Sequence, residues 1–199
     1  MRVKVNAENK IMKRLIVGIS GASGIMIGVR LLEVLRDLEV QTHLIMTKPA
    51  EATLGFESEL QTRDVLALAT NHYGIKDITA AISSGSFVTD GMIVAPCSVR
   101  TMSEIATGVT SNLLTRSADV VLKERRRLTL IVRETPLHTG HLRTMTALSE
   151  MGAIIAPPVP AFYQKPESVE DIIDQIVART LDLYGLAMPG ARRWGEDLP

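Results

Sequence analysis

Apolar residues fall into short runs separated by segments with helical spacing. Leu15, Ile16, Val17 and Ile19 form the first run, which predicts a buried parallel strand ending at Ile19. The small residues of Gly18-Ile-Ser-Gly-Ala-Ser-Gly24 then leave no bulky side chain over the backbone, and Ile25, Val29, Leu32 and Leu35 share one helical face beyond them. Further strands are predicted over residues 40–47, 82–87, 91–95, 128–132 and 153–156. Helices are predicted over 24–38, 49–56, 62–70, 100–108, 111–125, 138–151 and 168–185. In the last helix Val169, Ile172, Ile173, Ile176 and Thr180 form the expected inner stripe, with Arg179 at its edge as a partly buried cation in need of an anion. Alternating strands and helices predict an α/β fold, a doubly wound parallel sheet in a single domain. Residues 1–12 read as an N-terminal extension, 13–188 as the α/β domain and 189–199 as a C-terminal tail.

Open sheets of this kind take ligands outside the carboxyl ends of their strands. Five segments are thereby expected around one crevice: 20–24, 47–48, 96–101, 133–134 and 157–163. A strand entering a glycine turn and then a helix offers unpaired backbone N–H groups and a helix dipole to a phosphate, so a nucleotide or flavin is the expected occupant of the first turn. The second strand ends in Met46-Thr47-Lys48, without the acid that an NAD ribose requires, which weighs against a dehydrogenase. Ser98 and Thr101 either cap the next helix or bind a ligand. Arg133 and Glu134 leave an apolar strand at its carboxyl end, where they form either an ion pair or a phosphate clamp beside a general acid or base. Tyr163 lies on the proline-stiffened segment 157–163. His138 and His141 lack a third ligand of matching spacing and read as capping or surface residues.

Composition narrows the classes. The chain has 199 residues, with Lys plus Arg and Asp plus Glu both at 22, so its net charge near zero argues against nucleic acid or an anionic membrane as principal partner. The lone Cys97 excludes an intramolecular disulfide and a cysteine-cluster metal site, and no metal is expected. No apolar run approaches the ~20 residues of a membrane span. Residues 1–12 carry no signal-peptide core, and a cytoplasmic setting is expected.

Several motifs taken together carry a resemblance. Gly18-Ile-Ser-Gly-Ala-Ser-Gly24, Ser83-Ser-Gly-Ser-Phe87, Ala95-Pro-Cys-Ser98 with Thr101, the 114–126 segment, Arg133-Glu-Thr-Pro136 and Pro157-Pro-Val-Pro-Ala-Phe-Tyr163 resemble the UbiX-type flavin prenyltransferases, over nearly the whole chain. The resemblance implies a Rossmann-like (flavodoxin-like) fold and a homododecamer with sites at subunit contacts. It also implies transfer of a dimethylallyl group from dimethylallyl monophosphate to N5 and C6 of reduced FMN without a metal. The product, prenylated FMN, would serve UbiD-type decarboxylases. By match, Gly21, Ala22, Ser23, Thr47, Ser98, Val99, Arg100, Thr101 and Arg133 hold FMN. Tyr163 and Arg179 hold the substrate phosphate, with Arg116 and Lys123 contributing from the subunit contact, and Trp194 closes over the pocket. Glu134 carries a proton to or from the departing phosphate, Glu57 is the second acid, and Ser23 lies between flavin and prenyl donor. Pro49 stands where the family usually has alanine. An FMN-dependent cysteine decarboxylase is the first alternative, although the region 136–141 lacks that group's Pro-x-Met-Asn motif. A non-catalytic FMN-carrying subunit is the second.

Overall fold

The computed structural model describes residues 12–196, so the 1–12 extension, apart from Met12, lies outside the described residues. The chain runs β1 (Arg14–Ile19), α1 (Ile25–Asp37), β2 (Gln41–Met46), α2 (Lys48–Glu57), α3 (Thr62–Leu66) and β3 (Asn71–Tyr73). A 3-10 turn (Ala81–Ser83) then leads to β4 (Gly91–Cys97), α4 (Val99–Ala106), α5 (Leu113–Lys123), β5 (Arg127–Val132), α6 (Thr139–Glu150) and β6 (Ala153–Ile155). A second 3-10 turn (Phe162–Gln164) precedes α7 (Val169–Asp182). The strands form one parallel sheet in the order β3-β2-β1-β4-β5-β6, the Rossmann-like doubly wound arrangement.

Strand periodicity sends alternate residues into two cores. Leu15, Val17 and Ile19 face α1, α2 and α7, whereas Ile16 faces the side covered by α4, α5 and α6. Two glycines set the spacing of these layers. A Cβ on Gly28 would lie 2.3 Å from the Ala95 carbonyl oxygen, so α1 rests directly on β4. A Cβ on Gly18 would meet Leu114 at 3.1 Å, which brings α5 close to β1 on the other face. Most helices start where a side chain accepts an orphan N–H: Thr47, Ser98, Asn112, His138 and Ser168 do this for α2, α4, α5, α6 and α7.

Two expectations are corrected. Residues 82–87 form no strand, because Ser83-Ser-Gly-Ser86 interrupts the apolar run and Arg126 takes the carbonyls of Gly85 and Phe87 at 2.6 and 2.8 Å. The edge strand is instead β3, too short and polar to register as a strand pattern, whose Tyr73 Oη meets Nδ1 of His43 on β2 at 2.8 Å. The buried face of α7 is carried by Val177, Ala178, Thr180 and Leu181, while Val169 is exposed. Of the expected inner stripe, Thr180 is buried and Ile173 and Ile176 pack partly buried against the same core, so it is the helix start, at Val169, that leaves the core.

Candidate active site

The strand order reverses between β1 and β4, and the crevice expected there is built around Ser20, which is fully buried. Its Oγ donates to the Pro96 carbonyl at 3.0 Å and accepts the Ser98 N–H at 2.8 Å, while its own N–H donates to Pro96 O at 3.2 Å. One hydroxyl therefore bolts the turn after β1 to the turn after β4. In the sequence Ser20 stands out only as a small residue, yet a hydroxyl at the first position beyond a buried strand is the signal of this role. The β1 turn also lies against α2. A Cβ on Gly21 would come 2.3 Å from Pro49 Cβ, so the glycine and the unusual proline fit one another.

The N-terminus of α1 is not open to a phosphate as first expected. Gly24 N donates to Glu57 Oε2 at 2.9 Å and Ile25 N donates to the same oxygen at 3.0 Å, so the protein's own carboxylate takes the favourable end of the helix dipole. Donors remain elsewhere: the N–H groups of Gly21, Ser23, Val99 and Arg100 find no acceptor among the described residues. Thr47 Oγ1 accepts from Ala50 N at 3.2 Å, and Ser98 Oγ accepts from Thr101 N at 3.3 Å and donates to Thr101 Oγ1 at 3.1 Å. The Arg100 guanidinium pairs with Glu104 at 2.9 Å and is 81 % exposed, so its backbone faces this turn while its side chain points along the helix surface. Arg133 N donates to Cys97 O at 3.1 Å, holding the exits of β5 and β4 together. Its exposed guanidinium has no partner among the described residues. Glu134 beside it is half-buried, and its Oε1 accepts the Thr135 N–H at 3.0 Å. Cys97 is buried, and burial pushes its thiol well above the ordinary range, which leaves it a packing residue. His138 caps α6 through Nδ1 and stacks on His141, as the capping reading expects.

Tyr163, Arg179 and Trp194 come together, but not in this crevice. They line a cavity of about 590 Å³ between the second 3-10 turn, α7 and the tail. Trp194 stands edge-on to Tyr163, with ring centres 5.3 Å apart at 87°. Arg179 is 68 % exposed rather than partly buried, and it donates to Asp182 at 2.8 Å. Arg116 and Lys123 lie in a third place. Arg116 donates to Ser83 O at 3.2 Å and pairs with Asp119 at 2.6 Å; Lys123 pairs with Glu124 next to Gly85. These residues precede Arg127, where β5 begins beside Gly91, so Lys123 sits at the amino end of the sheet, opposite the crevice. Within one chain the expected site residues therefore form three groups. Among the described residues no cluster of His, Cys, Asp and Glu is arranged to hold a metal ion, and no helix is long and apolar enough to cross a membrane.

Comparison with known proteins bears on how these groups are read. Residues 3–181 match the Flavoprotein family. The chain is 58 % identical over 179 residues to flavin prenyltransferase UbiX of Escherichia coli (strain K12), covering 89 % of this chain and 95 % of that protein. It is 49 % identical over 182 residues to the mitochondrial flavin prenyltransferase PAD1 of Saccharomyces cerevisiae, covering 92 % and 75 %. Among solved structures it superposes on AnUbiX (PadA1) in complex with FMN and dimethylallyl pyrophosphate with a TM-score of 0.91 at 50 % identity, covering 92 % and 98 %. It superposes on a dodecameric FMN-dependent UbiX-like decarboxylase from Escherichia coli O157:H7 with a TM-score of 0.90 at 53 % identity, covering 91 % and 98 %. FMN-dependent cysteine decarboxylases such as SpaF share the fold alone, at 17 % identity. With more than half of its residues identical to a curated relative across nearly its whole length, the chain belongs to the UbiX-type flavin prenyltransferases.

Proposed function

We propose that the chain joins the dimethylallyl group of dimethylallyl monophosphate to reduced FMN. The observation that carries this reading is the crevice itself. N–H donors of Gly21, Ser23, Val99 and Arg100 lie with the hydroxyls of Thr47, Ser98 and Thr101, none of these N–H groups having an acceptor among the described residues, and Arg133, without a partner among them, and half-buried Glu134 stand at the rim. That donor set fits a flavin with a single phosphate: short hydroxyls and main-chain N–H groups for the ring edge and phosphate, and one guanidinium for the negative charge. Gly21, Ala22, Ser23, Thr47, Ser98, Val99, Arg100, Thr101 and Arg133 would hold it. When bound and reduced, the flavin supplies N5 and C6 as the positions that accept carbon.

The remaining work falls to the chain. The allylic C–O bond breaks with its electron pair going to the phosphate, so the groups around that phosphate must take up negative charge. Tyr163 and Arg179, with Arg116 and Lys123, would bind it, and Glu134 would deliver a proton to the departing oxygen. Ser23, exposed on the first turn, would stand between flavin and donor, and Glu57, held on the end of α1, would be the second acid. Trp194 would shield the substrate from water. Because one chain keeps these residues in three places, the complete site would form where copies meet. A dodecameric relative supports such an assembly, as do the strongly exposed Phe56 and Phe162. The recipient of the product would be a UbiD-type decarboxylase, and the setting the cytoplasm.

The test is anaerobic. Purified chain given reduced FMN and dimethylallyl monophosphate should yield a flavin heavier by one dimethylallyl unit, detected by mass spectrometry. Flavin that binds but never gains this mass sinks the reading. Running dimethylallyl pyrophosphate in parallel decides which donor the phosphate groups accept.

A further inference from the structure

Asp182 is the last residue of α7, and its carboxylate is shared between two cations. Arg179 Nη1 donates to Oδ2 at 2.8 Å and Arg193 Nη2 donates to Oδ1 at 2.6 Å. The carboxylate is the least solvated of the three groups, at 22 % exposure against 68 % for Arg179 and 36 % for Arg193. Arg179 belongs to a rigid helix and Arg193 to the tail, so one side chain ties the tail to the helix. A second tie comes from the other wall of the cavity, where Gln164 Nε2 donates to Arg192 O at 3.1 Å. Trp194, the next residue after Arg193, is thereby set edge-on to Tyr163. All of these residues line the same cavity.

We infer that Asp182 is a positioning residue that docks the tail over the substrate-phosphate cavity. Through one oxygen it fixes Arg179, leaving the other guanidinium donors for a phosphate; through the other it fixes Arg193, and so holds Trp194 against Tyr163. The inference rests on assigning Tyr163 and Arg179 to the substrate phosphate. Its structural half, the docking of the tail, does not depend on that assignment.

Trp194 is the only tryptophan of the chain, so its fluorescence anisotropy reports the tail without a label and without any ligand. Asp182→Asn should remove most of the slowly decaying anisotropy of Trp194. It should raise KM for dimethylallyl monophosphate about tenfold while kcat changes less than about threefold, the signature of lost substrate binding rather than lost chemistry. Arg193→Gln, a change in the tail that leaves α7 intact, should loosen Trp194 to the same extent with a smaller rise in KM. Asp182→Glu should restore part of both signals. Unchanged Trp194 anisotropy in both Asp182→Asn and Arg193→Gln overturns the proposal, and so does a rise in KM without loosening of the tail. A wild-type chain that binds FMN but forms no prenylated flavin defeats the functional assignment instead, and the ligand-free anisotropy still decides whether Asp182 docks the tail.

Discussion

The crevice at the carboxyl ends of β1 and β4 and the cavity beside α7 are both suited to an anion, yet they are built in opposite ways. In the crevice the donors are mostly main-chain N–H groups, and their positions are set by a buried hydroxyl, Ser20, and by close packing at Gly21 and Gly28. In the cavity the donor is an exposed side chain, Arg179, held by Asp182, with Tyr163 and Trp194 in edge contact beside it. Backbone donors are pre-positioned by the fold and cost little ordering on binding, whereas long side chains at the surface adjust to a ligand. The contrast suits a tightly held flavin in one place and a small phosphate ester that must leave after each turnover in the other.

The comparison can be broken or sharpened by substitution. The largest effect is expected from Glu134→Gln, which removes the proposed proton donor and should lower turnover about a hundredfold or more in single-turnover assays. FMN affinity should stay unchanged, since the crevice donors remain; an equal loss of FMN binding would place Glu134 in the flavin site instead.

Stability should fall in acid through His43, which is buried on β2 against Tyr73 and Phe87. Burial, reinforced by Arg14, lowers its pKa to about 4. The unfolded chain then binds a proton that the folded chain refuses. The stabilisation is complete above the unfolded value near 6.5 and is lost as pH falls from there toward 4, by up to about 3 kcal/mol. Denaturant titrations between these pH values measure it, and His43→Phe should flatten the slope. A wild-type slope no steeper than that of the variant would remove His43 as the cause.

Gly28→Ala should come next. Its Cβ would sit 2.3 Å from Ala95 O, so α1 must move off β4, at a cost of about 2 kcal/mol in thermal or urea unfolding. FMN binding should weaken with it, because the β1 turn rides on the start of α1, whereas the anisotropy of Trp194 in the other region should not change.

The smallest effect is expected from Arg100→Ala. Its side chain is exposed and paired with Glu104, and only its N–H faces the crevice, so FMN affinity measured by fluorescence quenching should change less than about threefold. Arg133→Ala, which removes a guanidinium with no competing partner among the described residues, should weaken FMN by about tenfold or more. Equal effects from the two would mean that the crevice reads side chains rather than backbone.

The local chemistry of the crevice was legible in the sequence because each element of it is local. An apolar run stopped by small residues announces a strand and its turn, and the hydroxyl at 98 announces a helix start. Glu57 escaped that reading because it reaches Gly24 and Ile25 from the far end of another helix, filling the dipole site that the sequence pattern seemed to leave open. Residues 82–87 carry a strand's apolar content but no strand, because the Arg126 side chain, distant in the sequence, claims the carbonyls of Gly85 and Phe87. In α7 the expected stripe holds at Ile173, Ile176 and Thr180 and fails at Val169, because the first turn of the helix extends past the core it packs on.

The sequence by itself determined most of the strands and helices, the parallel α/β class, the family and the candidate residues, since these follow from periodicity, turn chemistry and motifs within short windows. Only the tertiary structure decided how those residues are grouped. It bolted two turns together through Ser20, gave the end of α1 to Glu57, and set Arg179 against Tyr163 and Trp194 through Asp182, while holding Arg116 and Lys123 apart from both on α5. Contacts between residues far apart in the chain depend on which faces pack and how closely, and no short window of sequence carries that information.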